Sequence, residues 1–153
     1  MAKRSELPEG ALRLDRQLCF ALYAATRAMT QAYHPALDAL GLTYPQYLVL
    51  LVLWEEDDLM VKELGAQLML DSGTLTPLLK RLEAAGIVSR RRDPDDERRL
   101  RVTLTAHGRR LRAKAPSVYR CVAERLADQS PRELAKLREQ LVALTQTLKG
   151  DPS

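Results

Sequence analysis

Past Gly86 the apolar period of the chain changes, and this change restricts the fold more than any other feature. Before it, Leu75, Leu78, Leu79 and Leu82 recur at helical spacing. After it, Leu100, Val102 and Leu104 alternate with Arg99, Arg101 and Thr103, the period of a strand with one covered face. Ile87–Arg92 is the expected partner strand, and Asp93-Pro-Asp-Asp-Glu97 the turn between them. Upstream, Val61, Leu64 and Leu68 mark a short helix. Met69–Ser72 is then a turn in which Asp71 or Ser72 caps the next helix. Pro77 removes one backbone donor, so that helix either starts near Thr74 or bends in its first turns. Two short helices followed by an arginine-rich hairpin form the order of a helix-turn-helix with a wing.

The flanks read as helices. Residues 1–10 hold Ser5, Pro8 and Gly10 and little apolar content, a frayed arm. Ala11–Tyr33 is a long helical pattern built on Leu14, Leu18 and Leu22, widened by Phe20, Tyr23 and Met29. Pro35 opens a short second helix that Gly41 ends. Thr43-Tyr-Pro-Gln46 has the form of a capping box, and the Tyr47–Trp54 run after it, apolar all round, belongs at the buried centre. Glu55-Glu-Asp-Asp58 reads as a solvated acidic turn. Thr105 caps a helix reaching about Ala127, and Ser130-Pro-Arg-Glu133 is a second capping box. Leu134, Leu137, Leu141, Leu144 and Leu148 then form a heptad seam. A thin terminal helix with such a seam wants a partner, and a two-fold homodimer suits it better than packing on its own long helices. The expected architecture is mainly α with a small β-hairpin wing. A winged helix-turn-helix lobe occupies 43–105, and helices at 11–42 and 106–149 make the dimer.

Composition closes off other classes. Two cysteines far apart and two histidines give no disulfide framework, no CxxC motif and no zinc site, so no metal is expected. No glycine-rich phosphate loop and no Ser/His/Asp arrangement is visible, so neither a cofactor nor an enzyme is expected. The longest apolar run, Tyr47–Trp54, is eight residues, against about 18 for a membrane span. Without a signal-peptide pattern, the expected compartment is the cytoplasm. Net charge is only +4, yet Lys80–Arg101 holds eight basic side chains, which fits a local polyanion contact.

The polar face of 72–85 carries Ser72, Thr74, Thr76, Lys80 and Arg81. Small hydroxyls near a helix N-terminus approach phosphates and base edges in a major groove, while Lys80 and Arg81 hold the backbone. Arg98 at the hairpin tip enters a minor groove, with Asp96 orienting its guanidinium. The same face serves equally as solvated surface; the order of the elements decides for DNA. Cys19 lies in the apolar band of the first helix, with Tyr23 one turn later. A thiol so placed is an inert core residue unless donors stabilise its thiolate. Five tyrosines to one phenylalanine supply such donors.

Asp96-Glu-Arg98-Arg-Leu-Arg-Val102-Thr-Leu104-Thr105 resembles the DxRxxxVxLT wing of MarR-type transcriptional regulators, a resemblance that extends from about Leu14 to Leu148. It implies a homodimeric winged-helix DNA-binding protein with 72–85 as recognition helix and Arg98 at the wing tip. Gln17-Leu-Cys-Phe20, Leu22-Tyr23-Ala24, Thr43-Tyr-Pro-Gln-Tyr47 and Leu70-Asp-Ser-Gly-Thr-Leu-Thr-Pro77 are similar to the organic hydroperoxide-sensing repressors, the OhrR subgroup. That resemblance implies a sensing thiol at Cys19, hydrogen-bonded by two tyrosine hydroxyls of the opposite subunit, at the positions of Tyr33 and Tyr44. Peroxide converts such a thiol to a sulfenic acid. In one branch a second cysteine of the other subunit then captures it. Cys121 is the candidate, and a small cellular thiol is the alternative. The implied function is a repressor that holds palindromic operator DNA when reduced and leaves it when an organic hydroperoxide oxidises Cys19. The alternatives are a MarR-type regulator released by a small phenolic ligand, with Cys19 structural, and a thiol peroxidase, which gives the basic wing no purpose.

Overall fold

The computed structural model describes residues 7–150. The arm expected over 1–10 therefore lies mostly outside the described residues. A 3-10 turn at Leu14–Arg16 leads into helix α1, Leu18–Asp38. The long helix thus starts later than its apolar pattern does. Gly10, at φ 75°, turns the chain, and the Gln17 amide donates to the carbonyls of Ala11 and Arg13, which ties the turn together.

α1 also runs through Pro35, so the two helices expected at this point are one. Pro35 costs a single bond, the one Gln31 would accept. Ala32 and Leu37, on either side, are buried and hold the segment on the core. Gly41, at φ 67°, ends the run, with Leu42 N–H donating to the Leu37 carbonyl.

Helix α2, Tyr44–Glu55, opens on the expected capping box, Thr43 with Gln46. It is the centre of the fold: Tyr47, Val49, Leu50, Leu53 and Trp54 are buried. Strand β1, Leu59–Met60, precedes helices α3 (Val61–Leu68) and α4 (Ser72–Ala84). Strands β2 (Val88–Arg92) and β3 (Leu100–Leu104) follow. The sheet is antiparallel, ordered β1-β3-β2, with Leu59 opposite Val102 and Val88 opposite Leu104. Its covered face adds Val88, Val102 and Leu104 to the leucines of α2, α3 and α4 in one core. At Gly65 a side chain would meet the Leu70 carbonyl at 2.8 Å, so glycine sets how closely α3 approaches the turn into α4.

Helix α5, Ala106–Leu111, is capped by Thr105 as expected. The helix expected to reach Ala127 is divided: a 3-10 turn, Arg112–Lys114, joins α5 to α6, Ala115–Arg125. Pro116 has no N–H for the Arg112 carbonyl, which accounts for the tightening. α6 packs along α1 through buried Val118 and Val122. Helix α7, Pro131–Lys149, opens on the Ser130/Glu133 capping box and buries none of its residues. Leu137, Leu141, Val142 and Leu148 are exposed along it. Among the described residues, no helix is long and apolar enough to cross a membrane.

Candidate nucleic-acid interface and thiol site

Helix α4 begins at Ser72 even though Pro77 lies within it. Asp71 is the cap: its carboxylate accepts from Thr74 N–H at 2.8 Å and from the Thr74 hydroxyl at 3.3 Å. These bonds, the backbone one foremost, hold the Asp71 carboxyl below the usual carboxylate range. Leu75, Leu78, Leu79 and Leu82 face the core. Ser72, Thr74, Lys80 and Arg81 are exposed, and Thr76 is half-buried. The five polar residues expected at DNA thus share the outer side of one helix, although the Thr74 hydroxyl is already engaged in the cap.

The wing is built on acids. Asp93 is buried at its root: Oδ1 accepts from the N–H groups of Asp95 and Asp96, and Oδ2 from Arg101 at 3.0 Å. Asp96 accepts from Arg98 N–H and Nε, each at 3.1 Å, and also pairs with Arg99. Asp96 is held below the ordinary range chiefly by Arg98. The expected Asp96–Arg98 contact is therefore present, and the Arg98 side chain is 91% exposed at the tip.

The acidic segment before β1, expected to be solvated, is instead a clamp. Asp58, in the left-handed region at φ 61°, pairs with Arg91 and Arg101 at 3.0 Å each. Asp57 accepts from Leu104 N–H at 2.8 Å and from Arg109 at 3.0 Å. A continuous series of contacts runs from Arg109 on α5 through Asp57, Asp58, Arg101 and Asp93 to the wing turn. Glu83 ties α4 to β2 by accepting from Arg90 Nη2 at 2.7 Å and Arg90 N–H at 3.0 Å. The sequence carried one signal for this clamp: an unbalanced arginine strand with an acidic run just upstream.

Cys19 is the second residue of α1 and is exposed. Its sulfur lies 3.9 Å from Gln17 Oε1. The apolar band expected to bury it, Leu14, Leu18, Phe20 and Tyr23, is itself exposed in the single chain. Tyr33 and Tyr44 come together where α1 meets α2, their ring centroids 4.9 Å apart, with Tyr47 5.9 Å from Tyr33. Burial pushes both phenols above their ordinary range, and for Tyr33 the neighbouring Tyr44 adds to it. Tyr33 stands fourteen residues after Cys19 on the same helix, a rise of about 21 Å. Within one chain, then, the thiol and these phenols are apart. Cys121, half-buried on α6, lies with its sulfur 3.6 Å from the Ala32 carbonyl, one residue before Tyr33. Among the described residues no group of three or more His, Cys, Asp or Glu side chains is placed to hold a metal ion.

The chain is similar to several known proteins along most of its length. The family model "Transcriptional regulator SarA/Rot" matches residues 31–114. The organic hydroperoxide resistance transcriptional regulator of Bacillus subtilis (strain 168) is 48% identical over 137 residues, 90% of this chain and 92% of that protein. Reduced AbfR bound to DNA, a protein of Staphylococcus epidermidis, matches with a TM-score of 0.77 at 41% identity, over 90% of this chain and 94% of that one. The disulfide form of AbfR matches at 0.60, with 40% identity over 92% and 93%. With a helix-turn-helix, an Asp–Arg wing and this likeness along nine-tenths of its length, the chain belongs to the MarR-type winged-helix transcriptional regulators, in the organic hydroperoxide (OhrR) subgroup.

Proposed function

We propose that this chain is a thiol-switched repressor. As a cytoplasmic homodimer it holds palindromic operator DNA while Cys19 is reduced, and it lets go when an organic hydroperoxide oxidises Cys19. The observation that carries the reading is the division of the thiol site. One end of α1 bears an exposed Cys19, and the other, about 21 Å away, bears Tyr33 packed on Tyr44, with the Cys121 thiol against the Ala32 carbonyl. A two-fold axis that lays the two α1 helices antiparallel joins these halves twice. Such a pairing also covers the exposed apolar residues of α1 and α7.

The chemistry follows from the groups present. Phenol hydroxyls donate to the thiolate and favour the charged form. The thiolate attacks the distal oxygen of the hydroperoxide, the O–O bond breaks, and the alkoxide leaves as an alcohol after taking a proton. The sulfenic acid then condenses with the partner's Cys121, or with a small thiol, and releases water. Capture by the partner's Cys121 draws that thiol off the Ala32 carbonyl and strains the α1–α6 packing beneath the lobes. Two recognition helices must span about 34 Å, one turn of DNA. Moving a dimer from mostly bound to mostly free takes a penalty of about 3–5 kcal/mol on the bound shape. The closer match to DNA-bound AbfR, reduced (TM-score 0.77) and overoxidised (0.75) alike, than to its disulfide form (0.60) supports the reading that the chain has the DNA-competent shape and that disulfide capture is the step that disturbs it.

Ser72, Thr74, Thr76, Lys80 and Arg81 meet the major groove in this reading, and Arg98, held by Asp96, the minor groove. A regulator released by a phenolic ligand, with Cys19 as packing, is the alternative. The test is fluorescence anisotropy on a duplex selected from a random pool by the reduced protein. Cumene hydroperoxide should release the wild type and leave Cys19→Ser bound. Equal responses from the two would refute the reading.

A further inference from the structure

Between the recognition helix and the wing lies a cleft of about 720 Å³, floored by Leu70, Leu75 and Leu100. Its rim is cationic and hydroxylic. Lys62, at the start of α3, is exposed and forms no ion pair among the described residues. Arg98 and Arg99 stand on the wing side and share Asp96. Ser72 and Thr76 line it from α4. Glu63, the only carboxylate among the lining residues, is occupied: its Oε2 accepts from Met60 N–H at 2.8 Å as the cap of α3.

We infer that this cleft seats the sugar–phosphate strand separating the two DNA grooves that one protomer reads, with Lys62 and Arg99 as phosphate contacts. The inference rests on the DNA-binding reading above. If α4 occupies a major groove and Arg98 the adjacent minor groove, the single strand dividing them must cross between α4 and the wing, which is where the cleft opens. Its chemistry suits that occupant. Lys62 supplies an unpaired point charge for a phosphate oxygen. Arg99 binds Asp96 through Nε at 3.3 Å, and a guanidinium has further donors to offer. The Ser72 and Thr76 hydroxyls are small donors along the same lining, and the leucine floor meets the deoxyribose. Lys62 adds a DNA contact from α3, outside both the recognition helix and the wing.

The test measures the dissociation constant of reduced wild type, Lys62→Ala, Lys62→Arg, Arg99→Ala and Arg98→Ala on the selected duplex across a series of salt concentrations. Lys62→Ala should weaken dimer binding roughly tenfold near physiological salt and lower the salt slope by about 0.9 per protomer. Lys62→Arg should restore both, and Arg99→Ala should resemble Lys62→Ala. Phosphate-ethylation interference should lose, in Lys62→Ala, a contact that the wild type shows. Lys62 is exposed and unpaired, so its melting temperature serves as the control for folding. Wild-type affinity and slope in Lys62→Ala, alongside weakened binding in Arg98→Ala, would overturn the inference and leave the proposed function standing. Failure of the reduced wild type to enrich any duplex from the random pool would overturn both.

Discussion

Truncating Leu137 to alanine tests the pairing of chains on which the thiol site depends. Leu137 lies on α7 with its side chain 51% exposed, and α7 buries none of its residues in the single chain. Burying a whole leucine side chain is worth about 1.5–3 kcal/mol, so covering its exposed half is worth about 0.8–1.5 kcal/mol. Alanine keeps only Cβ, so about 0.5–1 kcal/mol of that is lost per chain. A two-fold axis applies the loss twice, about 1–2 kcal/mol, which is roughly a 5- to 30-fold rise in the dimer dissociation constant. The buried leucines of the lobe are untouched, so each chain keeps its fold. Sedimentation velocity of reduced protein over a dilution series reads the constant directly, and affinity for the duplex should fall with it because two half-sites need two lobes. An unchanged dissociation constant with a lowered melting temperature would refute the argument, since it would place Leu137 in packing within the chain.

Acid should loosen the wing before the core. Asp58, Asp93 and Asp96, with Glu83 at the α4–β2 contact, have folded pKa values held down chiefly by their arginine partners. Each group therefore stabilises fully above its unfolded pKa, near 4, and that stability is lost as pH falls through the lower folded value. Amide exchange of 88–104 should accelerate as pH drops from about 4 toward 2, once corrected for intrinsic rates; protection that stays flat across this window contradicts the clamp. Arg98→Ala should weaken duplex binding, lower the melting temperature only slightly through loss of the exposed pair with Asp96, and leave the rate of Cys19 oxidation at the wild-type value, as read by anisotropy, thermal melting and stopped-flow thiol loss. Wild-type affinity would mean the wing tip misses the DNA. Tyr33→Phe and Tyr44→Phe should each slow Cys19 oxidation while duplex affinity is retained. Parent rates in both variants would make these rings packing residues only.

Much of this was legible in the residues because the strongest signals are local. Capping boxes at Thr43 and Ser130, the period switch after Gly86, and the Thr105 cap each depend on a few neighbouring side chains, and each stands where it was expected. The misreadings occur where distant partners override local rules. Pro35 reads as a helix start, yet buried Ala32 and Leu37 hold α1 straight through it. Pro116 was unremarkable in sequence, yet it divides the helix after the wing. Asp57 and Asp58 look solvated until β3 and α5 bring Arg101 and Arg109 against them from more than forty residues away. The site residues were recoverable by type, but the separation of Cys19 from Tyr33 and Tyr44 follows only from seeing α1 as one unbroken helix.

The central claim is that the oxidation state of one sulfur sets DNA occupancy. A single titration of the duplex-bound dimer with an organic hydroperoxide tests it, with the fraction bound and the mass of the Cys19 peptide read from the same samples. Release should follow Cys19 modification step for step. Complete modification with the duplex still bound, or release with Cys19 intact, would contradict it.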